Sequence, residues 1–177
     1  SFSVRYLGCT AGVVITASHN PPEYNGYKVY WQDGGQVPFP RDGEIIKKVN
    51  AIESYDCVKT MDYDKAVEEG LYVSIGADVD NEFIKNVKAQ SINPDIVAKT
   101  ADSLKIVYTP LHGTGNLPVR RVLDDLGFKN VYVVPEQELP DGDFPTVSYP
   151  NPEAKEAFAL GLALAKEKDA DLVHYFS

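Results

Sequence analysis

The sequence contains few of the residues that mark several classes of protein. Its 177 residues include two cysteines, one methionine and three histidines. Cys9 and Cys57 form no CxxC pair and have no metal-ligand spacing, so we expect free thiols in a reducing, cytoplasmic compartment. The sequence has no Asn-x-Ser/Thr sequon and no apolar run of membrane-spanning length. These absences argue against a disulfide scaffold, a module with a cysteine-bound metal and a membrane protein.

Positive charge is also scarce. The chain has 17 Lys and Arg against 26 Asp and Glu, which gives a net charge of −9 without any basic cluster. Nucleic acids and anionic membranes bind positively charged surfaces, so we predict neither as a partner. The proportions of apolar residues (44%) and charged residues (24%) are ordinary for a globular protein. The length suits one domain or two small ones.

The most informative segment covers residues 16–26. An apolar strand at residues 12–15 runs into a polar turn that carries a single hydroxyl, on Ser18. Two prolines then fix φ and remove backbone donors, so the loop is stiff. An Asn-Gly pair makes a tight turn into a second strand at residues 27–31. This pattern predicts a hydroxyl that is presented for group transfer.

The residues of this loop resemble those of a known family. Thr-Ala-Ser-His-Asn-Pro at residues 16–21, followed by Asn-Gly-Tyr-Lys at residues 25–28, resembles the active-site serine segment of the α-D-phosphohexomutases. These are the phosphoglucomutases, the phosphomannomutases and their relatives. The resemblance implies that Ser18 carries a phosphoryl group, donates it to a sugar phosphate and recovers it from the other end of a bisphosphorylated intermediate. It also implies a Mg²⁺ ion bound by the phosphate on Ser18, and an activator of the glucose 1,6-bisphosphate type.

The resemblance also implies roles for the neighbours of the serine. His19 and Lys28 are expected to be catalytic, with Lys28 assisting proton transfer, and Asn20 is expected to contact phosphate. These residue types suit phosphoryl transfer, which depends on positioning and charge neutralisation. A serine alkoxide leaves poorly unless a metal or a cation stabilises it. His19 can donate a hydrogen bond to a phosphate oxygen in either protonation state.

Less specific interpretations of the same residues exist. A serine in a loop is more often a turn former, and a lysine in a strand is more often solvated. A serine-hydrolase pair of Ser18 and His19 is disfavoured, because adjacent side chains of an extended chain point to opposite faces. No Gly-x-Ser-x-Gly elbow is present either. The length of the match favours the functional interpretation.

The pattern of apolar residues predicts two α/β domains, at residues 1–76 and 77–177. The first contains a helix that ends at Gly8, and its later elements are a helix at 41–52, a helix at 64–69 and a strand at 71–75. The second opens with a helix after residue 76 and continues with strands at 104–109, 131–134 and 171–176, separated by helices from Pro118 and from Pro150. Alternating strands and helices indicate a parallel sheet. The fold class is therefore α/β, and the resemblance implies phosphohexomutase-like three-layer domains with mixed, largely parallel sheets. It implies that residues 1–76 are the C-terminal part of the first domain, and that residues 77–177 are the second domain, truncated before the metal loop.

A glycine-bearing loop at residues 110–116 follows the first strand of the second domain. A tight turn between strand and helix is the commoner interpretation of such a loop, although its backbone N–H groups can meet an anion. Residues 108–115 and 150–153 also resemble the second domain of the phosphohexomutases. The resemblance then implies that His112 and Gly113 contact phosphate.

The aspartate-rich metal loop of that family has no counterpart in the sequence. Asp141 and Asp143 flank a glycine, and we interpret them as a turn rather than as metal ligands. We therefore expect a fragment of a phosphoglucomutase-like enzyme, most similar to the phosphoglucomutases and phosphopentomutases of the family and inactive alone. Its expected partners are sugar phosphates and the remaining domains of a parent chain. One alternative is a truncated, non-catalytic module that keeps the fold. Another is a mutase whose substrates are mannose phosphates or pentose phosphates. An unrelated Rossmann-like or flavodoxin-like nucleotide-binding domain is a further alternative.

Overall fold

The computed structural model describes residues 1–18, 20–151 and 154–175, and the chain divides into two compact units. One unit comprises Ser1–Val14 and Tyr27–Asn81, and the other comprises Ile15–Gly26 and the chain from Glu82 onward. The segment that carries Ser18 therefore belongs to the second unit. Because the units interleave along the chain, the domain boundary predicted after residue 76 stays a prediction.

The first half of the chain holds three helices and two strands among its described residues. They are α1 (Phe2–Tyr6), β1 (Ala11–Thr16), β2 (Gly26–Trp31), α2 (Arg41–Asn50) and α3 (Tyr63–Glu68). β1 and β2 form a two-stranded sheet. The predicted helical end at Gly8 is confirmed, since this glycine follows α1 with φ of 63°. α1 lies close to β1, because a Cβ added to Gly12 would come within 2.5 Å of Val4 Cγ2.

Local charges and caps explain where the helices of this half form. α2 carries acids in its first turn and lysines in its last, the arrangement that the helix dipole favours. Asp62 caps α3, since its Oδ1 accepts a hydrogen bond of 3.1 Å from the N–H of Lys65. The helices predicted at residues 41–52 and 64–69 are thus confirmed, with ends shifted by one or two residues.

The strand predicted at residues 71–75 is wrong, because the structure assigns no strand there. The N–H groups of Leu71 and Tyr72 both donate to the carbonyl of Ala66, at 2.9 and 3.0 Å. These residues therefore close the end of α3 instead of pairing with a neighbouring strand. An apolar run of strand-like composition needs a partner edge to become a strand, and Leu71 and Val73 are instead exposed.

The second half of the chain is a parallel α/β unit. Its elements are α4 (Ala77–Lys88), α5 (Pro94–Thr100), β3 (Lys105–Thr109), α6 (Asn116–Asp125), β4 (Asn130–Val133), α7 (Ala159–Lys168) and β5 (Leu172–Tyr175). The strand order is β4-β3-β5, and both pairings are parallel. The α/β class with a parallel sheet is therefore confirmed. α5 was not predicted from the sequence, and α6 begins at Asn116, two residues before the predicted start at Pro118.

Helices cover both faces of this sheet, with β3 at its centre. A Cβ added to Gly161 of α7 would lie 3.2 Å from Val173 Cγ1, so α7 packs closely on that face. The next residue, His174, points to the opposite face because side chains alternate along a strand. It lines a cavity there together with residues of α4 and α6. In folds of this kind, sites usually lie at the loops that follow the carboxyl ends of the strands.

The helix predicted from Pro150 begins later than expected. Residues 150–151 are not helical, a 3-10 turn covers Lys155–Phe158, and α7 begins at Ala159. The reason is a side-chain bridge, in which the Glu156 carboxylate accepts hydrogen bonds from the N–H and the hydroxyl of Ser148 (2.9 and 2.6 Å). Residues 152 and 153 lie outside the described residues. No helix of the described chain is long and apolar enough to cross a membrane.

Candidate active site

Ser18 lies in an exposed turn directly after β1. Its φ is 59°, in the left-handed region that residues other than glycine rarely adopt. The N–H of Ser18 donates to the hydroxyl of Thr16 at 2.8 Å, and the N–H of Asn20 donates to the carbonyl of Ala17 at 3.0 Å. These bonds turn the chain sharply after the strand. The serine side chain is exposed, so its hydroxyl is accessible to a ligand.

The other residues predicted around the serine are placed as follows. Asn20 is half-buried, and its Oδ1 accepts a hydrogen bond of 3.4 Å from the hydroxyl of Tyr149. His19 lies outside the described residues. Lys28 is half-buried on β2, in the first unit, and no described residue forms an ion pair or hydrogen bond with its ammonium group. The structure therefore groups Ser18 and Asn20 in one unit and places Lys28 in the other.

The loop after β3 is built differently. Leu111 and His112 are both left-handed, with φ of 44° and 58°, and both are buried. His112 Nδ1 lies 3.2 Å from the carbonyl of Leu139, and Nε2 lies 2.9 Å from the hydroxyl of Thr146. The carbonyl can only accept, so the tautomer with its proton on Nδ1 satisfies both contacts. The ring of His112 is thus used to join this loop to the segment after β4.

A buried chain of hydrogen bonds extends the same connection. The Thr109 hydroxyl donates to Gln137 Oε1 at 2.7 Å, and Gln137 Nε2 donates to the Thr146 hydroxyl at 3.0 Å. The N–H of Leu111 donates to the Thr109 hydroxyl at 3.1 Å. Thr109 and Gln137 are fully buried, where an unpaired polar group would be costly. Each member therefore has a partner, and the network fixes the loop rigidly.

This network limits how His112 and Gly113 can contact a phosphate. The N–H of His112 donates to the carbonyl of Gln137 at 2.9 Å, and the N–H of Gly113 donates to the carbonyl of Pro110 at 2.8 Å. Both backbone donors and both ring nitrogens are thus occupied within the protein. A phosphate contact from either residue requires one of these bonds to open. Their assignment to phosphate binding stays a prediction.

The described residues do not form a metal centre by themselves. Asp141 Oδ1 accepts a hydrogen bond of 2.9 Å from the N–H of Asp143, which is a turn of the predicted kind. Among the described residues, no group of three His, Cys, Asp or Glu side chains could hold a metal ion. A Mg²⁺ ion prefers six oxygen ligands in octahedral geometry. The residues present therefore do not fit a Mg²⁺ ion without further ligands.

The cavity between α4, α6 and β5 is unsuited to a sugar phosphate. It measures about 530 Å³, and its polar side chains are Thr114 and His174 among mainly apolar neighbours. Burial lowers the pKa of His174, so the ring is neutral at physiological pH. A phosphate is bound by several cationic side chains or N–H donors, and the mainly apolar lining of this cavity contains no Lys or Arg. Ser18 therefore remains the centre of the candidate site.

Two residues of this site were not predicted from the sequence. Thr16 holds the N–H of the serine, and Tyr149 contacts Asn20 from a position 129 residues away. A threonine two residues before a turn is a recognisable local capping pattern. No pattern in the sequence indicates the contact of Tyr149.

Comparison with family models shows where this architecture occurs. Residues 1–56 match the model for phosphoglucomutase/phosphomannomutase, alpha/beta/alpha domain I, and residues 81–176 match the model for domain II. A phosphoglucomutase of Staphylococcus saprophyticus is 38% identical over 173 residues, which are 98% of this chain and 30% of that protein. The glucose 1,6-bisphosphate synthase of Homo sapiens is 38% identical over 177 residues, covering 97% of this chain and 27% of that protein.

A solved structure agrees with these matches in fold. The crystal structure of a Thermus thermophilus protein assigned as a phosphomannomutase superposes with a TM-score of 0.72 at 21% identity. The superposition covers 98% of this chain and 36% of that one. The chain thus spans about a third or less of the length of the proteins that it matches.

Proposed function

The chain belongs to the phosphoglucomutase/phosphomannomutase family, and we propose that it carries the phosphoserine of an enzyme that interconverts sugar 1-phosphates and sugar 6-phosphates. The observation that carries this proposal is the state of Ser18. Its side chain is exposed and its backbone is left-handed in a turn fixed by Thr16. Strained residues with accessible side chains are common at functional sites. The coarser conclusion, membership of a family of mutases, does not depend on this assignment.

In the proposed reaction, a phosphoryl group moves from Ser18 to a sugar phosphate and returns from the bisphosphate. The sugar hydroxyl oxygen attacks phosphorus, and the bond from phosphorus to Ser18 Oγ breaks. The proton of the sugar hydroxyl ends on Ser18 Oγ, and we assign Lys28 to assist its transfer. Reversal of the same step from the second phosphate of the bisphosphate regenerates the phosphoserine. Positioning and charge neutralisation supply most of the catalysis in such reactions.

The remaining ligands and partners of this site are also proposals. His19 and Asn20 are assigned to the phosphate group on Ser18, and His112 and Gly113 to the phosphate of the substrate. The human relative named as a glucose 1,6-bisphosphate synthase supports a hexose bisphosphate as the activator. Further domains of a longer cytoplasmic chain are the proposed partners, and they would supply the Mg²⁺ ligands that the described residues lack.

Phosphoryl transfer to Ser18 gives the most direct test. The natural full-length protein and its Ser18→Ala variant are incubated with glucose 1,6-bisphosphate and analysed by intact mass and by mapping of the phosphorylated residue. We expect one phosphoryl group on the wild type and none on Ser18→Ala. Mutase turnover of the variant should fall at least about a thousandfold, since a covalent step is lost.

A matched control is the Ser74→Ala variant, because Ser74 is exposed outside the candidate site. It should be phosphorylated on Ser18 at the rate of the wild type. Equal phosphorylation of the Ser18→Ala variant would contradict the proposal. A wild-type protein that takes up no phosphoryl group but binds the sugar would favour the non-catalytic module instead.

A further inference from the structure

The loop at residues 148–156 is closed by a side-chain bridge. Glu156 accepts hydrogen bonds from the hydroxyl of Ser148 at 2.6 Å and from its N–H at 2.9 Å. The bond from the Ser148 hydroxyl, and to a smaller extent the bond from its N–H, hold the pKa of Glu156 below its ordinary value. The carboxylate is therefore charged at neutral pH, and charge-assisted bonds of this length are among the stronger ones. The start of the loop is fixed by this bridge.

Tyr149 follows this fixed point directly. Pro150, the next residue, is buried and has a restricted φ. The backbone of Tyr149 is thus held on both sides, while the residue as a whole is 40% exposed. Its hydroxyl donates to Asn20 Oδ1 at 3.4 Å. A rigid segment of the second unit therefore reaches the turn that carries Ser18.

The contact orients the amide of Asn20. An asparagine side chain has one oxygen that accepts hydrogen bonds and one nitrogen that donates two. When Oδ1 accepts from Tyr149, the amide nitrogen is turned away from that hydroxyl. A phosphate group accepts hydrogen bonds and does not donate them when fully ionised. A tyrosine hydroxyl can donate or accept, and with the bond as the structure has it, Oδ1 faces Tyr149 and the amide N–H donors are left for an anion.

We infer that Tyr149 is a positioning residue, which fixes the amide of Asn20 so that it donates to the phosphoryl group on Ser18. This inference rests on the proposed function and adds a residue to it. Tyr149 acts through Asn20 and does not itself contact the transferred group. Its hydroxyl, rather than its ring, carries the role.

The test compares Tyr149→Phe with Tyr55→Phe in the natural full-length protein. Both changes delete one tyrosine hydroxyl, and Tyr55 is 94% exposed with no hydrogen bond from its hydroxyl to a described residue. The rate of Ser18 phosphorylation is measured against the concentration of glucose 1,6-bisphosphate. We expect Tyr149→Phe to lower the saturating rate about fivefold, the worth of one hydrogen bond. Its melting temperature should match that of the wild type, which a purely structural role would not predict. Tyr55→Phe should leave the rate unchanged.

A double-mutant cycle shows whether the effect passes through the asparagine. If Tyr149 acts through Asn20, the variant Asn20→Ala and the pair Asn20→Ala with Tyr149→Phe should have equal rates. Ser148→Ala, which loosens the bridge to Glu156, should lower the rate in the same direction by a smaller factor.

The outcomes separate this inference from the proposed function. A phosphorylated wild type with an unchanged Tyr149→Phe rate would overturn the inference and leave the proposed function intact. Additive losses in the double mutant would also overturn it, because Tyr149 would then act independently of Asn20. A wild type that accepts no phosphoryl group would remove the proposed function and the inference together.

Discussion

The loop after β1 and the loop after β3 turn through the same left-handed conformation, but they are held in opposite ways. Ser18 has φ of 59° and His112 has φ of 58°. The Ser18 side chain is exposed, whereas His112 is 6% exposed and both of its ring nitrogens are hydrogen-bonded. The first loop therefore presents its side chain, and the second uses its side chain to join two segments of the fold.

This difference shows how backbone strain is distributed in the second unit. A residue other than glycine in the left-handed region costs roughly 1–2 kcal/mol. At His112 the cost is offset by burial and by two ring hydrogen bonds, each worth about 1 kcal/mol. Burial offsets little at Ser18, because the serine side chain is exposed. Strain that persists at an accessible hydroxyl is what a functional site, rather than a packing site, would show.

The largest expected effect on stability comes from substituting glycine at Ser18 and at His112. Glycine relieves the same backbone strain in both places. In His112→Gly the ring and its two hydrogen bonds are lost, so we expect a loss of about 3 kcal/mol in the free energy of unfolding. In Ser18→Gly almost nothing buried is lost, so the free energy should change by less than about 1 kcal/mol. Urea unfolding of the two variants measures both changes.

Phosphorylation of the Ser18→Gly variant provides a control for this comparison. Ser18→Gly should still abolish phosphorylation, because the hydroxyl is gone while the stability is kept. Equal destabilisation by the two substitutions would show that both loops are structural in the same sense, and the contrast between them would be lost.

A somewhat smaller effect is expected at the centre of the buried network. In Gln137→Leu, the Thr109 and Thr146 hydroxyls each lose a partner, and Thr109 is fully buried. We expect a loss of about 2 kcal/mol, since an unsatisfied buried polar group costs about 1–3 kcal/mol. Gln32→Leu is the matched control at an exposed position and should change stability by less than about 0.5 kcal/mol. Hydrogen exchange of the β3 amides reports the local free energy. Unchanged exchange in Gln137→Leu would mean that water replaces the amide, and the network would not be what fixes this loop.

The sequence allowed the exposed loop to be predicted better than the buried one. The strand, the stiff turn and the hydroxyl at Ser18 follow from local chemistry, which prolines and an Asn-Gly pair determine over a few residues. The use of the His112 ring depends on Leu139 and Thr146, and these lie 27 and 34 residues further along the chain. Local patterns carry no information on such partners. The glycine-bearing loop was therefore predictable as a turn, but not as part of a buried network.

The same reasoning explains the errors in secondary structure. Residues 71–75 have the composition of a strand, but strand formation depends on a neighbouring edge, and their N–H groups are used to close α3. The helix after Pro150 was expected too early because the bridge between Ser148 and Glu156 is a side-chain contact without a periodic pattern. The parallel sheet of β3, β4 and β5 was predictable, since alternation of strands and helices leaves few topologies.

The smallest expected effect is a change of stability that appears only at alkaline pH. It concerns Tyr108 of β3, in the buried interior beneath the loop that carries His112. Tyr108 is fully buried on β3, and burial raises its pKa to about 12 against a smaller opposing effect of the Arg120 guanidinium. In the unfolded chain the phenol ionises near its ordinary value of 10.0. Between about pH 10 and pH 12 the unfolded state therefore binds fewer protons than the folded state, and stability falls as the pH rises.

Urea unfolding at a series of pH values from 9 to about 12 checks this prediction against Tyr108→Phe, which cannot ionise at that position. Below pH 10 the difference in stability between the two proteins should be constant, because the phenol is protonated in both states. Above pH 10 the wild type should lose stability faster than the variant. If stability fell equally with pH in the wild type and in Tyr108→Phe, the folded protein would accommodate the ionised phenol of Tyr108. The interior beneath the His112 loop would then be open to water, and the two loops would differ less than their burial indicates.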